Sequence, residues 1–138
     1  MSSTKTRFSS VVEFNRQVLG IKPRPLGLPS LDEIKLSYTQ LREEAKELVD
    51  AYGDDDYIGC VDAVIDTLYF TYGIAYKLGL TERQLNDMFL MVHQANMNKK
   101  KGVKKGREGF DAADASKPKD WVDPRESMKE YLNDFYSN

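Results

Sequence analysis

The chain contains very little cysteine and histidine: Cys60 and His93 are the single examples among 138 residues. One cysteine excludes an internal disulfide and is typical of a reducing compartment. One cysteine with one histidine also argues against a zinc site. Neither glycine-rich phosphate-binding pattern, Gly-x-x-x-x-Gly-Lys-Ser/Thr or Gly-x-Gly-x-x-Gly, occurs in the sequence. Since the sole histidine lies at the start of a lysine-rich segment, no Ser-His-Asp nucleophile arrangement is indicated.

Long apolar runs and a charge excess are missing as well. No apolar run approaches the roughly 20 residues that span a bilayer, and no apolar signal core follows the first residues. The net charge of −2 gives no overall attraction to nucleic acid or to anionic membranes. We therefore expect a cytoplasmic protein with neither a membrane nor nucleic acid as its main partner.

Helical periodicity dominates the chain. Apolar side chains recur every three or four residues in five segments, which predicts an all-α bundle of four to five helices. The predicted helices cover 8–19, Ser30 to near Gly53, 57–78, Thr81 to 97, and Pro124 to near Phe135. Residues 99–123 are predicted to form a loop because glycines, lysines and a proline interrupt the periodicity. We expect one domain, 1–138, with 1–7 and 136–138 as flexible tails.

The third predicted helix is apolar on nearly every face. Its β-branched and aromatic residues would also fit a strand, but its length without a turn signal favours a helix. Such a pattern predicts a helix that is buried on most sides. Because one chain of this size cannot cover it alone, we expect a homodimer or homotetramer.

Two groups of carboxylates lie on consecutive predicted helices. Glu43, Glu44 and Glu47 share one helical face, and Asp62 and Asp66 share another within the most apolar helix. The glutamates also fit an ordinary solvated face, and the aspartates fit a structural salt bridge to Arg or Lys. Antiparallel neighbouring helices would bring both groups to one level of a bundle. Like charges held this close favour a hard divalent cation such as Mg²⁺ between them.

Basic residues follow the fourth predicted helix. His93, Asn96 and Lys99 or Lys100 lie at helical spacing, and further lysines continue to Arg107. Lysine is a point positive charge suited to phosphate. A solvated basic loop or weak nucleic-acid contact would explain the same residues. A polyphosphate held by carboxylate-bound Mg²⁺ and by lysines would explain the acidic and basic groups together.

The acidic and basic pieces occur in a characteristic order. The sequence contains Glu43-Glu44-x-x-Glu47, Asp62-x-x-x-Asp66-x-x-Tyr69-x-x-x-Gly73, Val92-His93-x-x-Asn96-Met97-x-Lys99 and Lys117-Pro118-x-x-Trp121-x-x-Pro124. The opening Phe8-x-x-Val11-x-x-Phe14-Asn15 and Gly20 fit the same series. This order, from about residue 8 to 125, resembles the all-α nucleoside triphosphate pyrophosphohydrolases of the MazG/HisE superfamily, in particular small phage and bacterial members with a phosphoribosyl-ATP pyrophosphohydrolase-like signature.

The resemblance implies a site that contains two or more Mg²⁺ or Mn²⁺ ions. Glu44, Glu47 and Asp66 would be metal ligands, and Glu43 would be a ligand or would orient the attacking water. Where the family has an acid three residues before Asp66, this chain has alanine, so we expect Asp62 to substitute as a ligand.

The resemblance also implies the substrate-binding residues. The predicted set is Asn15, Asn96, Lys99, Lys100, Lys117 and Trp121, and Lys99 would also act in catalysis by supplying positive charge. Trp121, Phe14 or Tyr38 could stack on a base, whereas Trp121 could equally anchor the loop by packing.

The implied reaction converts a nucleoside triphosphate to the monophosphate and pyrophosphate. We expect a deoxynucleoside triphosphate with a slight purine preference, and dGTP or GTP is one specific candidate. The alternatives are dUTP, dCTP or phosphoribosyl-ATP as substrate, or a non-enzymatic helical oligomer that binds nucleic acid through its basic loop.

Overall fold

The computed structural model describes residues 4–109 and 114–136, and helices dominate them. The helices are α1 (Arg7–Gln17), α2 (Leu31–Gly53), α3 (Tyr57–Lys77), α4 (Glu82–Met97) and α5 (Arg125–Tyr136). The predicted all-α class is therefore confirmed. Of the predicted tails, residues 1–3, 137 and 138 lie outside the described residues, whereas residue 7 begins α1 and residue 136 ends α5.

Capping side chains determine where the first three helices begin. Thr6 and Ser30 each form a capping box at the start of α1 and α2, and the Asp56 carboxylate accepts a hydrogen bond from the Gly59 backbone N–H at the start of α3. The short turn between α2 and α3 includes Asp55 at a φ of 54°, a left-handed conformation that Asp tolerates better than most residues. This turn lets α2 and α3 lie side by side in opposite directions.

The predicted loop 99–123 needs a correction. Lys100–Lys101 (β1) and Ala115–Ser116 (β2) form a two-stranded antiparallel sheet, with Lys100 opposite Ser116. The strands are only two residues long, so they have no alternating apolar pattern that sequence analysis could detect.

The chain forms two compact units, Met1–Glu82 and Arg83–Asn138. In the first unit α2 packs along α3, and α1 packs on α3 with Phe8 and Val11 buried. In the second unit the Tyr131 hydroxyl donates a hydrogen bond to the Asp87 carboxylate, which joins α5 to α4. The prediction of one domain over 1–138 stays a prediction.

The proline-rich connector between α1 and α2 packs against the C-terminal end of α3. The Tyr76 hydroxyl donates a hydrogen bond to the Ile21 carbonyl at 2.7 Å, and the Gly27 N–H donates one to the Leu78 carbonyl at 3.1 Å. Gly79 has a φ of +83°, and a Cβ there would lie 2.2 Å from the Pro25 carbonyl oxygen. Both the backbone conformation and the close approach therefore require glycine at position 79.

Within one chain α3 is only partly covered, as expected from the prediction that a single chain cannot bury this helix alone. Ala63, Gly73, Ala75 and Tyr76 are buried, but Ile58 is 70% exposed and Ile65 is 53% exposed. Sequence pattern gives the apolar character of a helix face but not what covers that face.

The length and apolar composition of α3 bear on the expectation that the protein has no membrane partner. At 21 residues, α3 is long and apolar enough, by length and composition alone, to cross a membrane. A core helix of a water-soluble protein can meet the same criterion, so this is weak evidence for a membrane span.

Glu33 joins the α2 cap to the connector. Its carboxylate accepts hydrogen bonds from both terminal nitrogens of Arg24 and from the Ser30 N–H. The Arg24 guanidinium is the largest cause that lowers the pKa of Glu33, from 4.5 to about 2. A carboxylate with a lowered pKa stabilises the fold fully above its unfolded pKa, and this contribution is lost as the pH falls toward the folded value.

We expect Glu33→Gln to lower the free energy of unfolding by about 1–2 kcal/mol at pH 7, because it removes a charge-assisted pair and weakens the cap. The difference from the wild type should shrink at pH 3, where the carboxylate of the unfolded chain is already protonated. Urea unfolding at both pH values measures this, with Asp32→Asn in the same helical turn as the matched control. An equal loss at pH 7 and pH 3 would contradict this assignment.

Candidate metal centre

Three carboxylates meet where α2 and α3 face each other. Glu44 and Glu47 lie one turn apart on α2, and Asp66 lies on α3; one oxygen from each side chain lies within 4.8 Å of the others. Glu44 is buried at 8% exposure, Asp66 is half-buried and Glu47 is exposed. Residues three apart on a helix share a face, so Glu44 and Glu47 were expected to lie together. The antiparallel packing of α2 on α3 brings Asp66 to the same level.

The environment of these acids disfavours their charged forms. Burial is the largest cause that raises the pKa of Glu44 from 4.5 to about 7, and contact with Glu47 and the charges of Asp66 and Asp62 raise it further. Burial and the neighbouring acids Asp62 and Glu47 also raise the pKa of Asp66. The cluster therefore has unfavourable electrostatic energy when all its members are ionised.

Among the residues that the structure describes, no basic side chain forms an ion pair with this cluster. Within residues 4–109 and 114–136, the ion pairs involve other acids, so the structural salt bridge that would have explained Asp62 and Asp66 is not observed. The Glu44 Oε2 atom is buried and has no hydrogen-bond partner within the part of the chain that the structure describes. A buried oxygen without a partner is costly. Three converging carboxylates fit a hard divalent cation, which would supply the missing positive charge.

The two other predicted ligands lie outside the group of three. Asp62 is exposed on α3 but close enough for its charge to raise the pKa of both Glu44 and Asp66. Glu43 is exposed on α2, next to Glu44 in sequence. At the position where the family has an acid, Ala63 is 1% exposed. The roles of Asp62 and Glu43 as ligands stay predictions.

An open cavity of about 200 Å³ lies beside the carboxylates in the same unit. Its walls come from α1, α2 and α3 and include Phe14, Asn15, Ser37, Gln40, Tyr69 and Phe70. Gln40 precedes Glu44 by one helical turn, and Phe70 follows Asp66 by one turn, so about 5–6 Å along the helices separates cavity and cluster. The rings of Phe14 and Tyr69 pack edge to face at 5.6 Å between centroids.

Asn15 is the predicted substrate-binding residue that lines this cavity. Its side chain is 4% exposed, and its Nδ2 donates a hydrogen bond to the Val11 carbonyl at 2.8 Å. Ser37 and Gln40 were not among the predicted residues, although they precede Glu44 by seven and four residues and so share its helical face. That spacing could have identified them. Tyr38, proposed for base stacking, is 63% exposed and does not line the cavity.

The remaining predicted binding residues belong to the second unit. Asn96 is exposed near the end of α4, and Lys100 begins β1. The Lys99 and Lys117 ammonium groups lie over the Trp121 ring, 5.4 and 4.6 Å from its centroid. The Trp121 indole N–H donates a hydrogen bond to the Ala95 carbonyl at 2.6 Å. The predicted role of Trp121 in base stacking stays a prediction; the observed contacts anchor its loop to α4.

A sequence model of the family described as phosphoribosyl-ATP pyrophosphohydrolase matches residues 22–96. This match covers just over half of the chain and contains the five acids that were predicted as metal ligands. The chain belongs to the phosphoribosyl-ATP pyrophosphohydrolase family. A search of curated proteins gives no significant match. The resemblance to the MazG/HisE superfamily is thus confirmed, and membership implies a pyrophosphohydrolase enzyme.

The raised pKa of Glu44 predicts how the stability of the metal-free protein depends on pH. Between 4.5 and about 7 the folded protein binds more protons at Glu44 than the unfolded chain does, so the Glu44 contribution becomes destabilising as the pH rises. We expect Glu44→Gln to raise the melting temperature in EDTA at pH 8, where Glu44 is charged, and to have a smaller effect at pH 5.

The same variant should respond less to metal. Mn²⁺ should raise the melting temperature of the wild type at pH 8, since it binds the folded state preferentially, and this increase should largely disappear in Glu44→Gln. Differential scanning fluorimetry measures both effects. Glu130→Gln makes the same chemical change at an exposed position of α5 and should behave like the wild type. Equal Mn²⁺ responses of wild type and Glu44→Gln would refute a metal site at Glu44.

Proposed function

We propose that the protein is a Mg²⁺- or Mn²⁺-dependent nucleoside triphosphate pyrophosphohydrolase that releases pyrophosphate and a nucleoside monophosphate. The main support for this proposal is the group of Glu44, Glu47 and Asp66, with which no described basic side chain forms an ion pair. The three acids lie within the segment that matches the family. A cytoplasmic role in control of the nucleotide pool would fit such an activity.

Glu44, Glu47 and Asp66 would hold the cation, with Asp62 as a further ligand. When bound, a divalent cation would neutralise phosphate charge and lower the pKa of a water molecule. In the proposed reaction the water oxygen attacks phosphorus, the anhydride bond between the α- and β-phosphates breaks, and pyrophosphate leaves with the bonding electrons. Glu43 would orient the water and accept its proton. The catalytic role of Lys99 rests on the resemblance alone.

The cavity beside the cluster would accommodate the nucleoside. Phe14, Tyr69 and Phe70 give it apolar and aromatic walls, whereas Asn15, Ser37 and Gln40 bring hydrogen-bonding groups. Such a combination is typical of small-molecule sites. A carboxamide can donate to and accept from one base edge, which fits a purine such as guanine. We propose dGTP or GTP as the first candidates.

Phosphoribosyl-ATP is the second candidate substrate, since the family description names it. Its adenine and triphosphate would use the same cavity and the same carboxylates. The other candidates, dUTP and dCTP, have smaller bases and would fill less of the cavity. A non-enzymatic oligomer that binds nucleic acid is the rival proposal, and it would leave the unneutralised carboxylates unexplained.

We also propose that α3 mediates homo-oligomerisation. Ile58, Val61, Ile65, Leu68 and Tyr72 recur at spacings of three and four along α3, as in the contact stripe of a helix pair. Ile58 and Ile65 are more than half exposed within one chain. A homodimer or homotetramer would cover this stripe.

We expect the protein to hydrolyse at least one member of a panel of ribo- and deoxynucleoside triphosphates and phosphoribosyl-ATP, with Mg²⁺ or Mn²⁺, and to release pyrophosphate but not orthophosphate. Glu44→Gln and Asp66→Asn should each lower kcat/KM by about 100-fold or more, because each removes negative charge that binds the cation. Separate assays of pyrophosphate and orthophosphate measure the products.

Two controls make this test specific. Glu130→Gln should retain full activity, and circular dichroism should show that both active-site variants stay folded. No turnover across the panel by a folded protein with metal present would contradict the proposed function.

The oligomer proposal predicts that Ile65→Lys lowers the molecular mass in solution, because a charge in an apolar interface is strongly destabilising. Sedimentation equilibrium measures the mass, with Asn86→Lys on the exposed face of α4 as the charge-matched control. A wild-type protein that sediments as a monomer at micromolar concentrations would contradict the proposal.

A further inference from the structure

One basic side chain is buried in the cavity beside the carboxylates. Lys77, in the last turn of α3, is 9% exposed and lines this cavity together with Asn15, Ser37 and Gln40. A lysine is rarely buried to this extent without an acid beside it, because removing an ammonium group from water is costly. Neither the resemblance nor the family description gives this lysine a role.

The charge of Lys77 is not balanced within the part of the chain that the structure describes. There its ammonium group forms no ion pair and donates no hydrogen bond. Glu33, which precedes Ser37 by one turn on the same face of α2, is already paired with both terminal nitrogens of Arg24. A buried donor without an acceptor is costly, so a ligand that supplies an acceptor would be bound favourably.

Helical spacing places Lys77 toward the end of the cavity that is distant from the carboxylates. On α3, Asp66, Phe70, Gly73 and Lys77 follow each other at spacings of four, three and four residues and so share one face. Lys77 lies eleven residues beyond Asp66, which corresponds to about 16 Å along the helix axis. Long side chains on a helix lean toward its N-terminus, which for Lys77 is the direction of Gly73 and the carboxylates.

This order along α3 determines which part of a nucleotide meets Lys77. The placement rests on the proposed function, in which the carboxylates hold the cation that accompanies the phosphates. The nucleoside then extends from the carboxylates into the cavity, and the base is the part that reaches furthest. Lys77 therefore meets the edge of the base and not the phosphate chain.

Purine bases differ in the hydrogen-bonding groups that this edge presents. An ammonium group is a donor only. Guanine and hypoxanthine present two neighbouring acceptors, O6 and N7, whereas adenine presents the N6 amino donor beside N7. A buried donor discriminates strongly between such edges, because the wrong base leaves polar groups unpaired.

We propose that Lys77 is a specificity-determining residue that donates hydrogen bonds to O6 and N7 of a 6-oxopurine, so that guanine and hypoxanthine nucleotides bind in preference to adenine nucleotides. Asn15 supports the same choice. Its Nδ2 donates to the Val11 carbonyl, which leaves the amide oxygen available for the N1–H that guanine and hypoxanthine share.

The helix dipole does not account for the position of Lys77. A lysine in the last turn of a helix can stabilise the partial negative charge at that end. An exposed lysine provides this stabilisation without losing its hydration, so the dipole gives no reason for burial in a cavity.

Isothermal titration calorimetry with the α,β-methylene analogues of dGTP, dITP and dATP in Mg²⁺ measures base preference without hydrolysis, since carbon replaces the bridging oxygen. We expect the wild type to bind the two oxo analogues at least about tenfold more tightly than the dATP analogue. Lys77→Met removes the charge at similar side-chain length. It should raise Kd for both oxo analogues by about tenfold or more and change Kd for the dATP analogue by less than about threefold.

Two further variants make the test specific. Lys35→Met is the same change at an exposed position of α2 and should bind like the wild type. Lys77→Gln carries a carboxamide that can donate to O6 or accept from an N6 amino group, so it should bring the Kd values of the dGTP and dATP analogues closer together. The melting temperature of Lys77→Met should equal or exceed that of the wild type, because an unbalanced buried charge is removed.

Three outcomes would overturn the proposal: a wild type without saturable binding or without preference for the oxo analogues, an unchanged preference in both Lys77 variants, or an equal loss of affinity for all three analogues. The last outcome would assign Lys77 to the phosphates. Hydrolysis and base selection can fail separately. A preference that depends on Lys77, with no turnover of any nucleotide, would refute the proposed function alone. Turnover with a preference that Lys77 does not alter would refute this assignment alone.

Discussion

Electrostatic repulsion among Glu44, Glu47 and Asp66 is the constraint on which the rest of this structure depends. The three carboxylates lie close together because two long packed helices, α2 and α3, bring their positions to one level. Burial and mutual repulsion raise the pKa of Glu44 to about 7, and its Oε2 lacks a partner. A fold selected for stability alone would place an apolar or paired residue at that position. Protonation of Glu44 or a bound cation relieves this repulsion, and the proposed divalent metal would supply the cation.

The residues around the cluster determine how α2 and α3 are placed against each other. The short turn with Asp55 in the left-handed conformation reverses the chain, and the Asp56 cap starts α3. Ala63 is small and buried, which allows close packing of α3 on α2. The Arg24–Glu33 pair joins α2 to the connector between α1 and α2. The Ile21 carbonyl of the same connector accepts a hydrogen bond from the Tyr76 hydroxyl of α3. The carboxylate cluster is thus built on two long packed helices, as the precise positioning of a metal site would require.

The helices and the grouping of the acids could be predicted from the sequence because both depend on local signals. Ser30 and Gly53 predicted the bounds of α2 because caps are local signals. The spacing of the acids predicted two carboxylate groups at one level of neighbouring helices because helical geometry is fixed, whereas the resemblance supplied Glu44, Glu47 and Asp66 as ligands. The β1–β2 pair was not predictable, since two lysines opposite Ala115–Ser116 carry no strand pattern. The incomplete cover of α3 within one chain was expected from its apolar character, although apolar periodicity reports a face that avoids water and not the group that covers that face. A cavity in the second unit beside Lys104 and Lys105 was not predictable either, because its shape depends on hydrogen bonds from Lys104 and Arg107 to Asp114, which lies seven to ten residues further along the chain.

The central claim is that these acids form a metal centre, and anomalous diffraction tests it most directly. Crystals of the protein grown at about pH 8 and soaked in Mn²⁺ should show an anomalous peak within coordinating distance of Glu44, Glu47 and Asp66, at about 2.0–2.4 Å from their oxygens. Data collected on both sides of the manganese absorption edge identify the element. Well-ordered carboxylates with no anomalous peak among them, at a Mn²⁺ concentration that saturates other metal-dependent phosphohydrolases, would contradict the account.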